Sequence, residues 1–349
     1  MDDYTVYTCT YFHSIDHDQK IKELKERNAL LQQQLETSTV RVSELQLECS
    51  RLKQDHSDDQ EVHYVNVQPR ILHGVNDMLL NVKRSEVMIT EEIGRGASGL
   101  VSKGTFHGQE VAVKQIHQSI LSQQHVMEEF RREVRIMASI QHPNLVRFVG
   151  AVFDENVENL TATPLLLLEL LQSNLRQAYE RTDLSSGVAL SIFRDMAYGL
   201  HYLHEHQEPI IHRDVSAPNV LLEALPGGMW RAKLSDFGSA NFLKRSTTLG
   251  VGAIVYTAPE MFPRQDPTAP MPRPTVKCDV FSYGIVLVEV ITRTMPSSEN
   301  RHQLFHEVQR RWQAIHELAI QCTQLHPHNR PMMSSVLNSL HRIPTGHLH

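Results

Sequence analysis

The hydrophobic pattern of the chain changes kind near residue 81, and this switch constrains the fold more than any other feature. Before it, residues from about 17 to 56 repeat every seven positions. After it come short runs of strand character: Val87 to Ile93, Leu100 to Thr105 and Glu110 to Gln115. One helix is predicted from about Gln124 to Ile140, followed by strand-like runs at Leu145 to Phe153 and Pro164 to Leu168. Helices dominate beyond that point, as in Val188 to His206, where Ile192, Met196, Leu200 and Leu203 form one apolar face. Strands and helices in separate blocks predict an α+β arrangement with two lobes, a small β-rich one followed by a larger helical one.

The seven-residue repeat places Ile21, Asn28, Leu35, Val42 and Cys49 at position a, and Leu24, Leu31, Ser38, Leu45 and Leu52 at position d. So narrow an apolar stripe cannot bury itself, which predicts a coiled coil over 17–56; the alternative is a single helix packed on the rest of the chain. Asn28 would pair with its copy across a parallel two-stranded seam and fix its register. Glu48 and Lys53 would attract across such a dimer, whereas Lys20 and Lys25 would repel. The expected partner is a second copy or another chain, giving a homodimer or heterodimer. Residues 1–16 show no period, and 57–81 read as a polar linker to a domain at 82–341 with a tail at 342–349.

Composition excludes several classes of function. A net charge of -6 without a Lys/Arg run gives no reason to expect nucleic-acid binding. The run Leu165 to Leu168 stops at Glu169, too short to cross a bilayer, and the N-terminus lacks a signal-peptide pattern. Four scattered cysteines, Cys9, Cys49, Cys278 and Cys322, read as reduced thiols in a cytoplasmic protein. Among 21 histidines, the tightest cluster is His201, His204 and His206, and no cysteine or carboxylate pair stands at zinc spacing beside it.

Five short motifs carry chemistry. Gly94-Arg95-Gly96-Ala97-Ser98-Gly99-Leu100-Val101 lies between two predicted strands, where glycines let backbone amides approach phosphate oxygens. A strand, not a helix, follows it, so a dinucleotide-binding turn is excluded. Lys114 ends Val111-Ala112-Val113-Lys114, and an ammonium ending a buried strand needs an anionic partner; Glu133 on the next helix is the candidate. His212-Arg213-Asp214-Val215-Ser216-Ala217-Pro218-Asn219, Asp236-Phe237-Gly238 and Ala258-Pro259-Glu260 complete the set.

In this order the motifs resemble the eukaryotic protein kinase family. The resemblance covers about 82 to 341 and implies a two-lobed kinase fold using ATP and Mg2+ on a protein substrate. It implies that Gly94, Arg95, Gly96 and Gly99 cover the ATP phosphates, and that Lys114, paired with Glu133, holds two of them. It makes Asp214 the catalytic base and gives the metal to Asn219 and Asp236. Leu168 looks like the gatekeeper, Glu169 and Leu171 like the adenine-contacting hinge, and Val101, Ala112 and Leu221 like the adenine sandwich. Glu260 with Arg330 looks like the ion pair under the activation segment, and Asp279 like the brace of the catalytic loop.

Finer features divide the family. Arg213 before Asp214 usually marks kinases whose activation loop is ordered by phosphorylation, and Ser246, Thr247 and Thr248 are candidate sites. Ser216 replaces the lysine usual in Ser/Thr kinases, and Ala253 a frequent threonine, while Tyr256 to Glu260 looks somewhat like the tyrosine-kinase pattern. Phe130 to Gly150 and Cys322 to Pro331 instead resemble the tyrosine-kinase-like group of Ser/Thr kinases. Ser/Thr specificity is therefore expected, with tyrosine or dual specificity as the alternative. A pseudokinase scaffold is the competing class, and the intact set Lys114, Glu133, Asp214, Asn219 and Asp236 argues against it.

Overall fold

A computed structural model of the chain describes residues 82–96, 99–116, 124–153, 163–236, 254–262 and 274–344. Residues 1–16, the expected coiled coil, the linker to 81, Phe237-Gly238, the candidate sites Ser246, Thr247 and Thr248, and the last five residues lie outside the described part.

The small lobe is a five-stranded antiparallel sheet in the order β1-β2-β3-β5-β4, formed by β1 (Val87–Gly96), β2 (Gly99–Phe106), β3 (Gln109–Ile116), β4 (Phe148–Val152) and β5 (Leu165–Glu169). One helix, α1 (Gln124–Ser139), lies between β3 and β4 in sequence. The period-two pattern of β3 and β5 splits their side chains between two cores. Val111, Val113, Leu165 and Leu167 join Val82 and Val152 on one face, while Ile116 and Leu166 face α1 and the main core. The run expected from Leu145 starts its strand only at Phe148. Asn144 to Val146 bond instead to the large lobe, with Leu234 N–H on Asn144 O and Val146 N–H on Leu234 O, both at 2.9 Å. Gly199 makes room for this segment, since a Cβ there would lie 2.8 Å from Asn144 O.

The large lobe contains a three-stranded sheet of β6 (Ser173–Asn174), β7 (Val220–Leu225) and β8 (Met229–Leu234), and six helices among the described residues. These are α2 (Leu175–Arg181), α3 (Ser186–His204), α4 (Val276–Thr292), α5 (Arg301–Arg311), α6 (Gln313–Cys322) and α7 (Met333–Arg342). Asn174 caps α2, accepting Gln177 N–H at 2.9 Å, and Ser185 caps α3 through Val188 N–H at 3.3 Å. Helix α4 is buried almost throughout, so its two carboxylates, Asp279 and Glu289, must find partners inside the protein. One continuous apolar core runs from Phe130 and Val134 of α1 through Leu145 and Phe148 to α3, β8 and α4. It joins both lobes behind the cleft that holds the motifs. No helix among the described residues is long and apolar enough to cross a membrane.

Candidate active site

Strand β3 delivers Lys114 to the cleft side of its sheet, opposite Val101 on β2 and Leu166 on β5. The side chain is 3% exposed, so its charge requires compensation, and Nζ lies 2.7 Å from Asp236 Oδ1. Glu133, the partner expected from sequence, lies on α1, with its side chain outside the described part. Lys114 and Asp236 line one cavity with Leu168, Leu166, Met137, Val146 and Phe148. The last four were not singled out in the sequence, where they read as ordinary core residues.

The catalytic-loop residues converge on the same place. A single 3-10 turn, Ala217–Asn219, brings Asn219 back over Asp214. Asn219 Nδ2 donates to both the backbone oxygen and Oδ2 of Asp214, at 2.8 Å each. Ser235 N–H bonds Asn219 O at 2.9 Å, which carries the contact to Asp236 one residue on. A path of bonded neighbours therefore joins Asp214, Asn219, Ser235, Asp236 and Lys114. Asp236 on this path and Arg213 beside Asp214 are strained, with φ of 62° and 66°. Such left-handed backbone costs about 1–3 kcal/mol at a non-glycine residue and persists only where neighbours hold it.

Asp279 holds the second of them. Fully buried on α4, it accepts His212 N–H at 2.8 Å, Arg213 N–H at 2.7 Å and His204 Nε2 at 2.9 Å. Burial alone would raise its carboxyl pKa, but the His204 hydrogen bond and charge, with His212 and Arg213, outweigh burial and hold it below the usual carboxylate range.

The glycines stand where β1 and β2 meet. Gly94 and Gly96 end β1, and Gly99 opens β2 so close to β3 that a Cβ there would collide with the Gln115 carbonyl. Arg95 points out, 65% exposed, and pairs with Glu92 at 3.1 Å. Ala112 stands opposite Leu168 in the β3–β5 register, and Leu221 on β7 stands opposite Lys233 on β8. Leu171 follows β5 as partly exposed loop. The side chain of Glu169 has a role that sequence reading missed. Its carboxylate binds Lys233 Nζ at 2.8 and 3.0 Å and Arg147 N–H at 2.7 Å, bridging the end of β5 to the large lobe.

Residues 254–262 are bolted to the large lobe. Glu260 meets the buried Arg330 guanidinium through two bonds of 2.6 and 2.7 Å. Tyr256 Oη donates to Glu289 at 2.5 Å and accepts from Arg176 at 2.6 Å, with Tyr179 Oη on the same carboxylate at 2.7 Å. Burial first, then the Glu289 charge, pushes the Tyr256 phenol well above its ordinary pKa, so it stays a neutral donor. Glu289 was also missed in the sequence, although an acid deep in an apolar helix is a legible signal.

Among the described residues, no three His, Cys, Asp or Glu side chains cluster as a self-sufficient metal site. Asn219 commits its Nδ2 to Asp214 and so presents Oδ1, while Asp236 brings a carboxylate. Two hard oxygen donors of this kind suit magnesium shared with substrate phosphates.

This lysine, amide and two-acid arrangement between a β lobe and a helical lobe defines the class: the chain belongs to the protein kinase domain family, whose profile matches residues 87–342. Among similar proteins, a probable serine/threonine-protein kinase of Dictyostelium discoideum is 33% identical over 76% of this chain and 25% of its own length. The probable serine/threonine-protein kinase SIS8 of Arabidopsis thaliana is 35% identical over 74% of this chain and 25% of its own. Serine/threonine-protein kinase TNNI3K of Homo sapiens is 32% identical over 62% and 25%. The chain thus spans about a quarter of the length of the curated relatives it matches.

Proposed function

We propose that this protein transfers the γ-phosphoryl group of ATP, with magnesium, to serine and threonine hydroxyls of proteins. The observation that carries this reading is the bonded path from Asp214 through Asn219 and Asp236 to Lys114, four functional groups drawn into one cleft from positions 122 residues apart at the extremes. Phosphoryl transfer needs positioning and charge neutralisation more than covalent help. In this reading Lys114, for which Glu133 is the partner expected from sequence, orients the phosphates under Gly94, Arg95, Gly96 and Gly99. Magnesium, held by Asn219 and Asp236, would offset the developing charge. Asp214, oriented by Asn219, accepts the proton of the substrate hydroxyl. Val101, Ala112 and Leu221 flank the adenine, and backbone groups of Glu169 and Leu171 meet its edge. The anchored segment 254–262 presents the protein substrate.

The serine/threonine names of the relatives favour Ser/Thr over Tyr. The discriminating experiment supplies the full chain with magnesium, labelled ATP and mixed Ser, Thr and Tyr peptides, and reads products by mass spectrometry. Phosphoserine and phosphothreonine are expected, and an Asp214→Asn control should be blank. Product on tyrosine alone would remove the Ser/Thr assignment, and no product at all would leave a scaffold.

Regulation follows the same logic. A phosphate on Ser246, Thr247 or Thr248, paired with Arg213, would order the activation loop. Dimerisation through 17–56 would raise the effective concentration of one domain near another and favour phosphorylation in trans. Deleting residues 1–56 is expected to give a monomer by light scattering with slower autophosphorylation. An unchanged mass and rate would refute the dimer. A cytoplasmic setting suits the buried free thiols of Cys278 and Cys322.

A further inference from the structure

We infer that Ser235, the residue before Asp236, is a positioning residue that locks Asn219 and Asp236 into one frame. The inference rests on the reading of those two side chains as magnesium ligands.

The β7–β8 ladder ends at the Val220–Leu234 pair. Beyond it, Ser235 continues the pairing twice over. Its backbone N–H bonds Asn219 O at 2.9 Å, and its Oγ donates to the same oxygen at 3.0 Å. A carbonyl has two lone pairs and accommodates both donors. Ser235 is 7% exposed, so water competes poorly for its hydroxyl. The next residue, Asp236, is the one held at φ 62°. Its carboxylate is fixed from the far side by Lys114 at 2.7 Å. The near side is fixed by the Ser235 clamp. A left-handed non-glycine residue relaxes when its neighbours stop over-determining it. Without Oγ, the peptide entering Asp236 retains one tether, and the carboxylate can turn away from Lys114 and from Asn219. The same carbonyl belongs to Asn219, whose amide already orients Asp214, so the serine couples both metal-facing groups to the catalytic base.

A structural role alone predicts a different ranking of variants from a clamp. If Ser235 only filled space, Ser235→Cys would be silent, because it conserves the volume. If Oγ acts as a donor, Ser235→Cys and Ser235→Ala should behave alike, since a thiol is a weak donor. The test uses the full chain and a fluorescent ATP analogue, titrated with Mg2+ and followed by binding rather than turnover. Both variants are expected to raise the half-saturating Mg2+ concentration about fivefold, the range expected for one buried hydrogen bond. Ser235→Thr, which keeps the hydroxyl, should stay within about twofold of wild type. Wild-type Mg2+ dependence in both the Ala and Cys variants would overturn the proposal. Asp236→Asn separates the two levels of the argument and should raise the Mg2+ requirement more than about tenfold. If it does not, the metal assignment fails, whatever Ser235 does.

Discussion

Asp214→Asn is expected to lower kcat by about a thousandfold while leaving nucleotide binding and the melting temperature near wild type. General-base assistance is worth about 10²–10⁴ in rate, and an amide of the same shape cannot take the proton. The fold should tolerate the change for a specific reason. Asn219 Nδ2 bonds the Asp214 backbone oxygen as well as Oδ2, and an asparagine Oδ1 can replace the latter. Neither bond requires a charge at 214. The effect should therefore fall on kcat with a small change in KM for ATP, the pattern of an interaction made only in the transition state. Steady-state kinetics against ATP and peptide, with a melting curve on the same samples, decide the matter. A loss smaller than about tenfold would mean that Asp214 is not the base.

Much of this site could be read in the sequence because the chemistry restricts residue type. Lys114, Asp214, Asn219 and Asp236 each supply a donor or charge that few other side chains could replace, and each lies within a recognisable string. The helices were legible where a single face is buried, as in α3. Legibility ends where a contact depends on residues distant in sequence with no shared period. Lys233 on β8 and Glu169 at the end of β5 lie 64 positions apart and meet only in the folded chain. Lys233→Met would leave that carboxylate short of its cation. Leu145 and Val146 read as the start of a strand because they are apolar, but the segment they form with Asn144 joins the large lobe. Its backbone hydrogen bonds there go to Leu234, and no local pattern announces that choice. Ser235 was invisible for another reason: a serine beside an acid is common, and only its double contact with Asn219 O distinguishes it.

Asp279→Ala should be among the most destabilising single substitutions in the large lobe, at about 4 kcal/mol. The carboxylate is inaccessible to water and accepts three donors, two from the backbone of the catalytic loop. Removing it strands His212 N–H, Arg213 N–H and His204 Nε2 in a dry interior, at about 1–3 kcal/mol for each donor and less than additively. The activity of whatever remains folded should fall by about a hundredfold as well, because Arg213 at φ 66° would be released next to Asp214. The pH dependence tests whether the charge of the carboxylate holds the loop. The folded-state pKa of Asp279 lies below its unfolded value, so its contribution is fully present above about pH 4 and is lost as pH falls through the folded value. The stability gap between wild type and variant, measured by urea unfolding, should be level from about pH 8 to 5 and narrow only below about 4. A gap that stayed level below about pH 4 would show that the charge of the Asp279 carboxylate is not what holds His212 N–H and Arg213 N–H in place.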